Sequence, residues 1–307
     1  MQLHLNLQQS QQLELQNETA MRLRAYRRRQ GALDLETLEA HVISDGNTVT
    51  DLVIQEQNAA RCLIEEFMVA ANGTIASFLE DAGLPMIHRV VRVPKYWEEI
   101  RLVAAKFGEK LPVNPDAKSL SSFLTKQRET DPDRFPDLSL TVVKLMGSGE
   151  YVPFIPGRRP IGHFALAVSD YTHGTAPNRR YVDLIIQRLI KSVLLGTKTP
   201  YNIRELDERA EWLSGREKAA NKVERFMRKS AAALLLKLRI GEVFEGFVTG
   251  ASEKGTYVRL VNPPAEGRVM KKESGLKVGQ KVIVKLLKTD HLNGHIDFEY
   301  LHDKEDD

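Results

Sequence analysis

Apolar positions along the chain fall into two textures. From Asn58 to Asp81 they recur every three or four residues: Ala60, Leu63, Ile64, Phe67, Met68, Ala71, Ile75 and Phe78. That spacing predicts a long amphipathic helix. Residues 1–30, rich in Gln and Leu and then in Arg, predict a helix ended by Gly31. Leu33 to Val53 reads as two strand-like runs around the turn Asp45-Gly46-Asn47. Pro85 and Pro94 bracket a short extended piece, and Tyr96 to Phe107 predicts a second amphipathic helix. A short helix is expected over Ser119 to Gln127, between proline-bearing loops. Leu138 to Met146 is apolar and stops at Gly147-Ser148-Gly149. Phe164 to Val168 is expected as a short strand and Pro177 to Leu195 as a helix. Ile203 to Leu238 is expected as a long helix broken near Ser214-Gly215. After Arg239 the texture changes. GEVFEGFVTGA, GTYVRLV, EGRVM, QKVIVKLL and GHIDFEY read as five short strands, which suit a small barrel. The expected architecture is a mixed α+β (α/β) domain over residues 1–238, an all-β barrel over 239–303 and an acidic tail at 304–307.

Composition narrows this only a little. Of the 307 residues, 42% are hydrophobic and 28% charged, as in globular proteins rather than disordered ones. A net charge of +3 permits a polyanionic partner without demanding one. Cys62 is the single cysteine, which excludes an internal disulfide and reads as a small buried hydrophobe in a reducing compartment. No run of about 18 apolar residues suggests a membrane span. The opening MQLHLNLQQSQQ lacks the layout of a signal peptide, so a cytoplasmic protein is expected.

The candidate chemistry centres on YTHGTAPNRRYVDL, Tyr171 to Leu184. Pro177 suits a first helical turn and Thr175 could cap it. Asn178, Arg179 and Arg180 would then sit at a helix N-terminus, where free N–H groups favour an anion and two guanidiniums add forked donors. The same spacing also fits a plainer arrangement, with one arginine paired to Asp183 and the other solvated. A second basic run, Arg22, Arg24, Arg27, Arg28 and Arg29, reads either as a solvated helix face or as a phosphate-binding lining. His163 and His173 have no metal spacing and read as packed structural histidines. Asp131, Asp133 and Asp137 lie in a proline-bearing loop and read as solvated rather than as a cation cage.

HFALAVSDYTHGTAPNRRYVDLIIQRLI resembles the signature of the ribonuclease II / ribonuclease R (RNB) family, roughly HFGLA followed by YTHFTSPIRRYPDLLVHR. His163, Phe164, Leu166, Ala167, Tyr171, Thr172, His173, Thr175, Pro177, Arg179, Arg180, Tyr181, Asp183, Leu184 and Arg188 carry the match. LIEEFMVAANGTIA, from Leu63, and LRAYRRRQGALDLETLE, upstream of it, resemble two further family segments in the same order. GEVFEGFVTGASEKGTYVRL and EGRV resemble an S1 domain, a five-stranded OB fold. The fold implied is an incomplete RNB catalytic domain followed by an S1-type barrel. The activity implied is processive 3′-to-5′ hydrolysis of single-stranded RNA to nucleoside 5′-monophosphates, with magnesium held by an aspartate cluster.

By that resemblance Arg179 contacts the scissile phosphate, Arg180 supports it, and Glu224 supports the arginine. The spacing of Glu224 itself favours an ordinary i,i+4 surface pair with Arg228. Tyr171, His173 and Thr175 would contact RNA, and Arg22, Arg24, Arg27 and Arg28 would line its channel. In the barrel, Phe247 and Tyr257 would stack on bases while Lys254 and Arg259 supply charge; Phe244 is a third aromatic candidate. Three positions depart from the family pattern: Gly174 for Phe, Ala176 for Ser and Asn178 for Ile. The larger departure is that no D-x-x-x-x-x-D-x-D-D run occurs; the only Asp-Asp pair is Asp306-Asp307. No metal ligands are therefore assigned in these residues, and magnesium would come with aspartates outside them. The expectation is a truncated or split enzyme, with a separate chain as one source of the N-terminal half. The rival is a non-catalytic RNA-binding protein that keeps the arginine motif and the barrel. Leu3, Leu5, Leu7, Leu13 and Leu15 fit an apolar edge left bare.

Overall fold

The computed structural model describes residues 7–36, 40–46, 48–54, 57–132, 134–252, 255–272 and 275–304. Leu3, Leu5, Asp133, Lys254 and the Asp306-Asp307 pair lie outside them. In chain order the elements are α1 (Leu7–Gln30), β1 (Ala40–Asp45), β2 (Thr48–Ile54), α2 (Ala59–Asp81), β3 (Met86–Val90) and α3 (Trp97–Lys106). There follow α4 (Ala117–Thr130), α5 (Phe135–Met146), β4 (Glu150–Phe154), α6 (Tyr181–Leu194) and α7 (Ile203–Leu235). Strands β5 (Val243–Ser252), β6 (Gly255–Leu260), β7 (Glu266–Lys271), β8 (Lys281–Asp290) and β9 (His295–Asp303) complete the chain. They group into two compact units, Met1–Glu36 with Gln57–Arg216, and Thr37–Glu56 with Glu217–Asp307.

In the first unit α2 is the central helix. Asn58 caps it, its side chain accepting the Arg61 N–H. Length and composition alone would let α2 cross a membrane. Its polar residues are instead used inside the unit: Glu66 takes a two-pronged bond from Arg27 of α1, and Asn72 serves the arginine motif. One apolar cluster joins Ala76 and Leu79 of α2 to Met86, Ile87, Ile185, Ile186, Leu189 and Leu206. A second gathers Trp97, Ile100, Leu120, Phe123, Leu124, Phe135, Leu138 and Val142 from α3, α4 and α5. Strands β3 and β4 pair antiparallel with His88 opposite Val152.

Several expectations need correction here. Phe164 to Val168 is not a strand but a single 3-10 turn, Phe164–Leu166, closed by Ala167 in the left-handed region (φ 53). The His163 N–H bonds the Val168 carbonyl at 2.8 Å and its ring accepts the Leu166 N–H, which folds the segment back on itself. The long helix α7 is not broken at Ser214-Gly215. The Ser214 hydroxyl accepts the Tyr151 N–H of β4 at 2.9 Å, so the serine is occupied across a tertiary contact. The apolar run ending at Met146 is the helix α5, and Gly147 with φ 88 ends it. The short helix expected over Ser119 to Gln127 extends over Ala117–Thr130, capped by Asp116 accepting the Ser119 N–H.

In the second unit the barrel is closed in the order β5-β6-β7-β9-β8, with β7 and β9 parallel and the other pairs antiparallel. Phe244, Val248, Val258, Leu260, Val269, Val282, Leu286 and Phe298 fill it. A Cβ on Gly246 would lie 2.7 Å from the Arg259 carbonyl oxygen, and one on Gly267 would lie 2.5 Å from that of Ile296. Those two crossings therefore require glycine. The hairpin β1–β2 groups with the barrel because Leu52 is buried in the same cluster, as are Ala232, Ala233 and Leu236.

Candidate nucleic-acid interface

The loop from His163 to Arg180 is braced by several side chains that bond inward. Tyr171 is 3% exposed, and its hydroxyl meets the Asn72 amide at 3.2 Å. Asn72 turns its other face to accept the Gly174 N–H at 2.9 Å, while Gln187 of α6 donates to the Gly174 carbonyl at 2.6 Å. The Thr172 hydroxyl donates to the Ile87 carbonyl of β3 at 2.6 Å. His173 Nδ1 lies 2.9 Å from the Tyr151 hydroxyl, and the rings of Tyr151, Tyr171, His163 and His173 meet edge to face. Arg89 sits over the Tyr151 ring at 4.8 Å. At Gly174 a Cβ would meet Ile75 Cδ1 at 3.0 Å and Ile186 Cγ2 at 3.1 Å. The space a ring would need at that position is already filled.

The arginine turn follows. Pro177 opens a tight turn in which the N–H groups of Arg179 and Arg180 both reach the Ala176 carbonyl, at 3.2 and 3.0 Å. Helix α6 then begins at Tyr181, not at Pro177, because Arg180 is extended (φ −124, ψ 119). Thr175 is not its cap. The N-cap, Arg180, has no side-chain cap bond; Asp183 in the first turn, fully buried, instead takes the Ala176 N–H at 2.8 Å and the Arg180 guanidinium at 2.8 Å. An anion in the first turn suits the helix dipole, and the ion pair holds Arg180 in place. Arg179 is exposed, and its guanidinium has no hydrogen bond or ion pair among the described residues. The plainer of the two arrangements is therefore the one formed, and it leaves one free cation beside one tethered cation.

The charge at this spot is arginine charge. Burial, then the guanidiniums of Arg180 and Arg89, push His173 down to about 3. Burial and then Arg89 push His163 to about 4. Both imidazoles are neutral at ordinary pH, so His173 offers no charge to a phosphate. Tyr171, buried and bonded, presents nothing to a strand outside. Thr175 is exposed beside Arg179 and remains available.

The α1 arginines fare differently from the expected channel lining. Arg24 bonds Asp34 at 2.8 Å and contacts Cys62 Sγ at 2.9 Å. Arg27 is forked onto Glu66, Arg28 pairs with Asp34, and Arg22 pairs with Glu18 at 2.6 Å. Burial disfavours the Asp34 carboxylate, but Arg128, Arg24 and Arg28 outweigh it and hold its pKa below the usual range. Arg22 stays on the exposed face of α1, while Arg24, Arg27 and Arg28 tie α1 to α2 and, through Asp34 and Arg128, to α4. Glu224 pairs with Arg228 at 3.7 Å along α7 and is largely exposed, the ordinary surface arrangement.

The barrel carries a second candidate surface. Phe244 is 5% exposed and belongs to the core, whereas Phe247, Tyr257 and Arg259 are half-exposed. Phe247 stands opposite Arg259 on β6 and Lys281 on β8, and Tyr257 stands opposite Arg268 on β7 and Gly250 on β5. Directly paired residues share a face, so aromatic and basic groups interleave across four strands. Gly250 leaves one side of the Tyr257 ring uncovered.

Among the described residues no group of three His, Cys, Asp or Glu could hold a metal. Asp131 ends α4 and accepts the Arg134 N–H, and Asp137, expected in a solvated loop, is instead buried in the first turn of α5. Asn72, Gln187, Tyr151 and Arg89 are the supporting residues that sequence reasoning missed. A polar Asn inside the apolar stripe of α2 was the one available signal.

Comparison with known proteins shows the family. The RNB domain model matches residues 2–196, and the model for the RNase II-type exonuclease C-terminal S1 domain matches residues 242–301. The chain belongs to the RNB ribonuclease family. Ribonuclease R 1 of Lactococcus lactis is 33% identical over 311 residues, which span 91% of this chain and 37% of that protein. Mycoplasma genitalium RNase R in its apo form superposes with a TM-score of 0.86 at 21% identity, over 98% of this chain and 51% of that one. Its complex with ribose methylated single-stranded RNA gives 0.85 at the same identity. Yeast Ssd1, described as a pseudonuclease, gives 0.56 at 21% identity over 70% of this chain and 27% of that one. These structural likenesses are ones of fold. The chain thus spans about half or less of the length of these relatives.

Proposed function

We propose that this chain forms the phosphate-gripping and strand-holding part of a 3′-to-5′ hydrolytic exoribonuclease that acts on single-stranded RNA and releases nucleoside 5′-monophosphates in the cytoplasm. The observation that carries the reading is the arginine turn: Arg179 free, beside Arg180 fixed by a buried carboxylate, in a loop braced by the inward bonds of Tyr171, Thr172 and His173. A fixed donor placed where charge develops on a phosphate lowers a transition state without reorganising. Arg179 would take an oxygen of the scissile phosphate. Arg180 and Asp183 are positioning residues that set the turn. The face of Phe247, Tyr257, Arg259, Arg268 and Lys281 would stack and neutralise the strand further along.

Magnesium, which the family resemblance implies, does not fit the described residues, since they offer no ligand set. We assign its aspartates to polypeptide outside these 307 residues, on the same or a second chain. The test uses 5′-labelled single-stranded RNA, stepped salt and Arg179→Ala. These residues alone should bind RNA in a salt-sensitive way, with affinity falling about tenfold or more in the variant. Adding the aspartate-bearing segment should produce a 3′-shortening ladder that Arg179→Ala abolishes. Binding that ignores both salt and Arg179 would overturn the reading. The second reading, a non-catalytic RNA-binding protein, draws on the fold shared with a pseudonuclease. It predicts the same binding and no ladder even after the segment is supplied.

A further inference from the structure

A cleft of about 410 Å³ opens in the first unit, lined by β4, the loop after it and the first turn of α7. Val152, Phe154, Ile161 and Ile203 make an apolar wall, while Arg158, Arg159, Arg204 and Asp207 bring charge. Arg158 and Arg159 come from Gly157-Arg158-Arg159-Pro160, a turn closed by the Arg158 N–H on the Ile155 carbonyl at 3.2 Å. Both are exposed, and neither has an ion pair among the described residues. Arg204 is shared with Glu208 at 3.0 Å. His88, on the cleft wall, is 2% exposed and stacks on Phe154 with ring centroids 4.1 Å apart. Its Nε2 is buried with no hydrogen-bond partner among the described residues.

Adjacent cations without carboxylates call for an anion, and forked guanidiniums match phosphate oxygens. The apolar wall of Val152, Phe154, Ile161 and Ile203 calls for a flat apolar body. Asp207 adds an acceptor for hydroxyl groups. These demands meet in a ribonucleotide. We propose that the cleft binds one nucleotide, with phosphate on Arg158 and Arg159, base against Val152, Phe154 and Ile161, and ribose hydroxyls toward Asp207. None of these residues belongs to the arginine turn, so the site is distinct from the grip on the scissile phosphate. The inference rests on the proposed function only in choosing a nucleotide over other aryl phosphates. The nucleotide is either a free nucleoside monophosphate or one unit of a bound RNA strand.

The test titrates UMP, AMP, inorganic phosphate and a short single-stranded RNA into the 307-residue chain by calorimetry, then into Arg158→Ala/Arg159→Ala. Both substitutions are at exposed positions, and an unchanged unfolding midpoint confirms the fold. The double variant should lose tenfold or more in nucleotide affinity. A loss with free UMP and AMP assigns the free nucleotide; a loss with RNA alone assigns a nucleotide of the strand. Binding of every probe at wild-type strength overturns the site. Inorganic phosphate binding as tightly as UMP overturns the role of the apolar wall. UMP binding is scored without reference to cleavage or to Arg179, so this proposal and the function proposed above can fail separately.

Discussion

The loop from Tyr171 to Asp183 and the outer face of β5, β6, β7 and β8 both set arginines beside aromatic rings, and they do so by opposite means. In the loop the rings face inward, the polar atoms of Asn72, Gln187 and Asp183 bond backbone groups, and a single cation is left outside. In the barrel the pleat does the work: alternation turns Phe247, Tyr257 and Arg259 outward, and cross-strand pairing brings Arg268 and Lys281 beside them. The loop is a jig whose parts depend on one another. The barrel face is a row of independent contacts on a scaffold that does not need them.

That contrast breaks first at Asp183. Asp183→Ala leaves Arg180 and the Ala176 N–H without their buried acceptor, and should destabilise the first unit by on the order of 3 kcal/mol. Asp183→Asn, which keeps an acceptor, should cost clearly less; urea unfolding followed by circular dichroism reads both. Equal losses would show that the ion pair contributes nothing.

Acid sharpens the comparison next. His88 and His163 are pushed to about 4 and His173 to about 3, each chiefly by burial, against an ordinary value of 6.5. Arg89 adds to the push on both loop histidines, Arg180 adds to it on His173, and Asp170 opposes it at His88. The unfolded chain therefore takes up protons first as pH falls. Stability from these groups is full above pH 6.5 and is lost progressively toward pH 4. Going from pH 7 to 5 should remove about 1 to 2 kcal/mol for each histidine from the first unit. The barrel, which has no buried histidine among its described residues, should persist, and unfolding monitored separately for the two units tests this.

The smallest effect on the fold belongs to the barrel face. Phe247→Ala and Tyr257→Ala should each weaken single-stranded RNA binding by about 1 to 3 kcal/mol, with additive losses and an unmoved unfolding midpoint. Strong non-additivity would mean that the face is another jig.

The barrel and the helix α2 were legible because their signals are local: alternation over a few residues, or a stripe repeated over six turns. What was not legible depends on acceptors that arrive from elsewhere. Asp183 reaches back seven positions to set the start of α6, and the Ser214 hydroxyl takes the N–H of a strand distant in sequence. Strand β4, five residues holding Pro153, drew no expectation because only its partner β3 makes it a strand. The arginine run on α1 misled for a related reason: a string of cations shows its charge, while Asp34 and Glu66, which consume that charge, lie on other segments. The motif itself stood out plainly, yet which of its arginines faces outward became readable only once Asp183 was placed.

Gly174 has a consequence for anyone who would move this loop between proteins. Where the family pattern has Phe, this chain has no side chain, and Ile75 and Ile186 occupy the vacated room. A graft of the loop from a Phe-bearing relative would bring in a ring whose berth is already taken. Positions 75, 174 and 186 must be exchanged together, as three parts of one lock. A library varied at 174 alone should return only the smallest residues, whatever selection is applied.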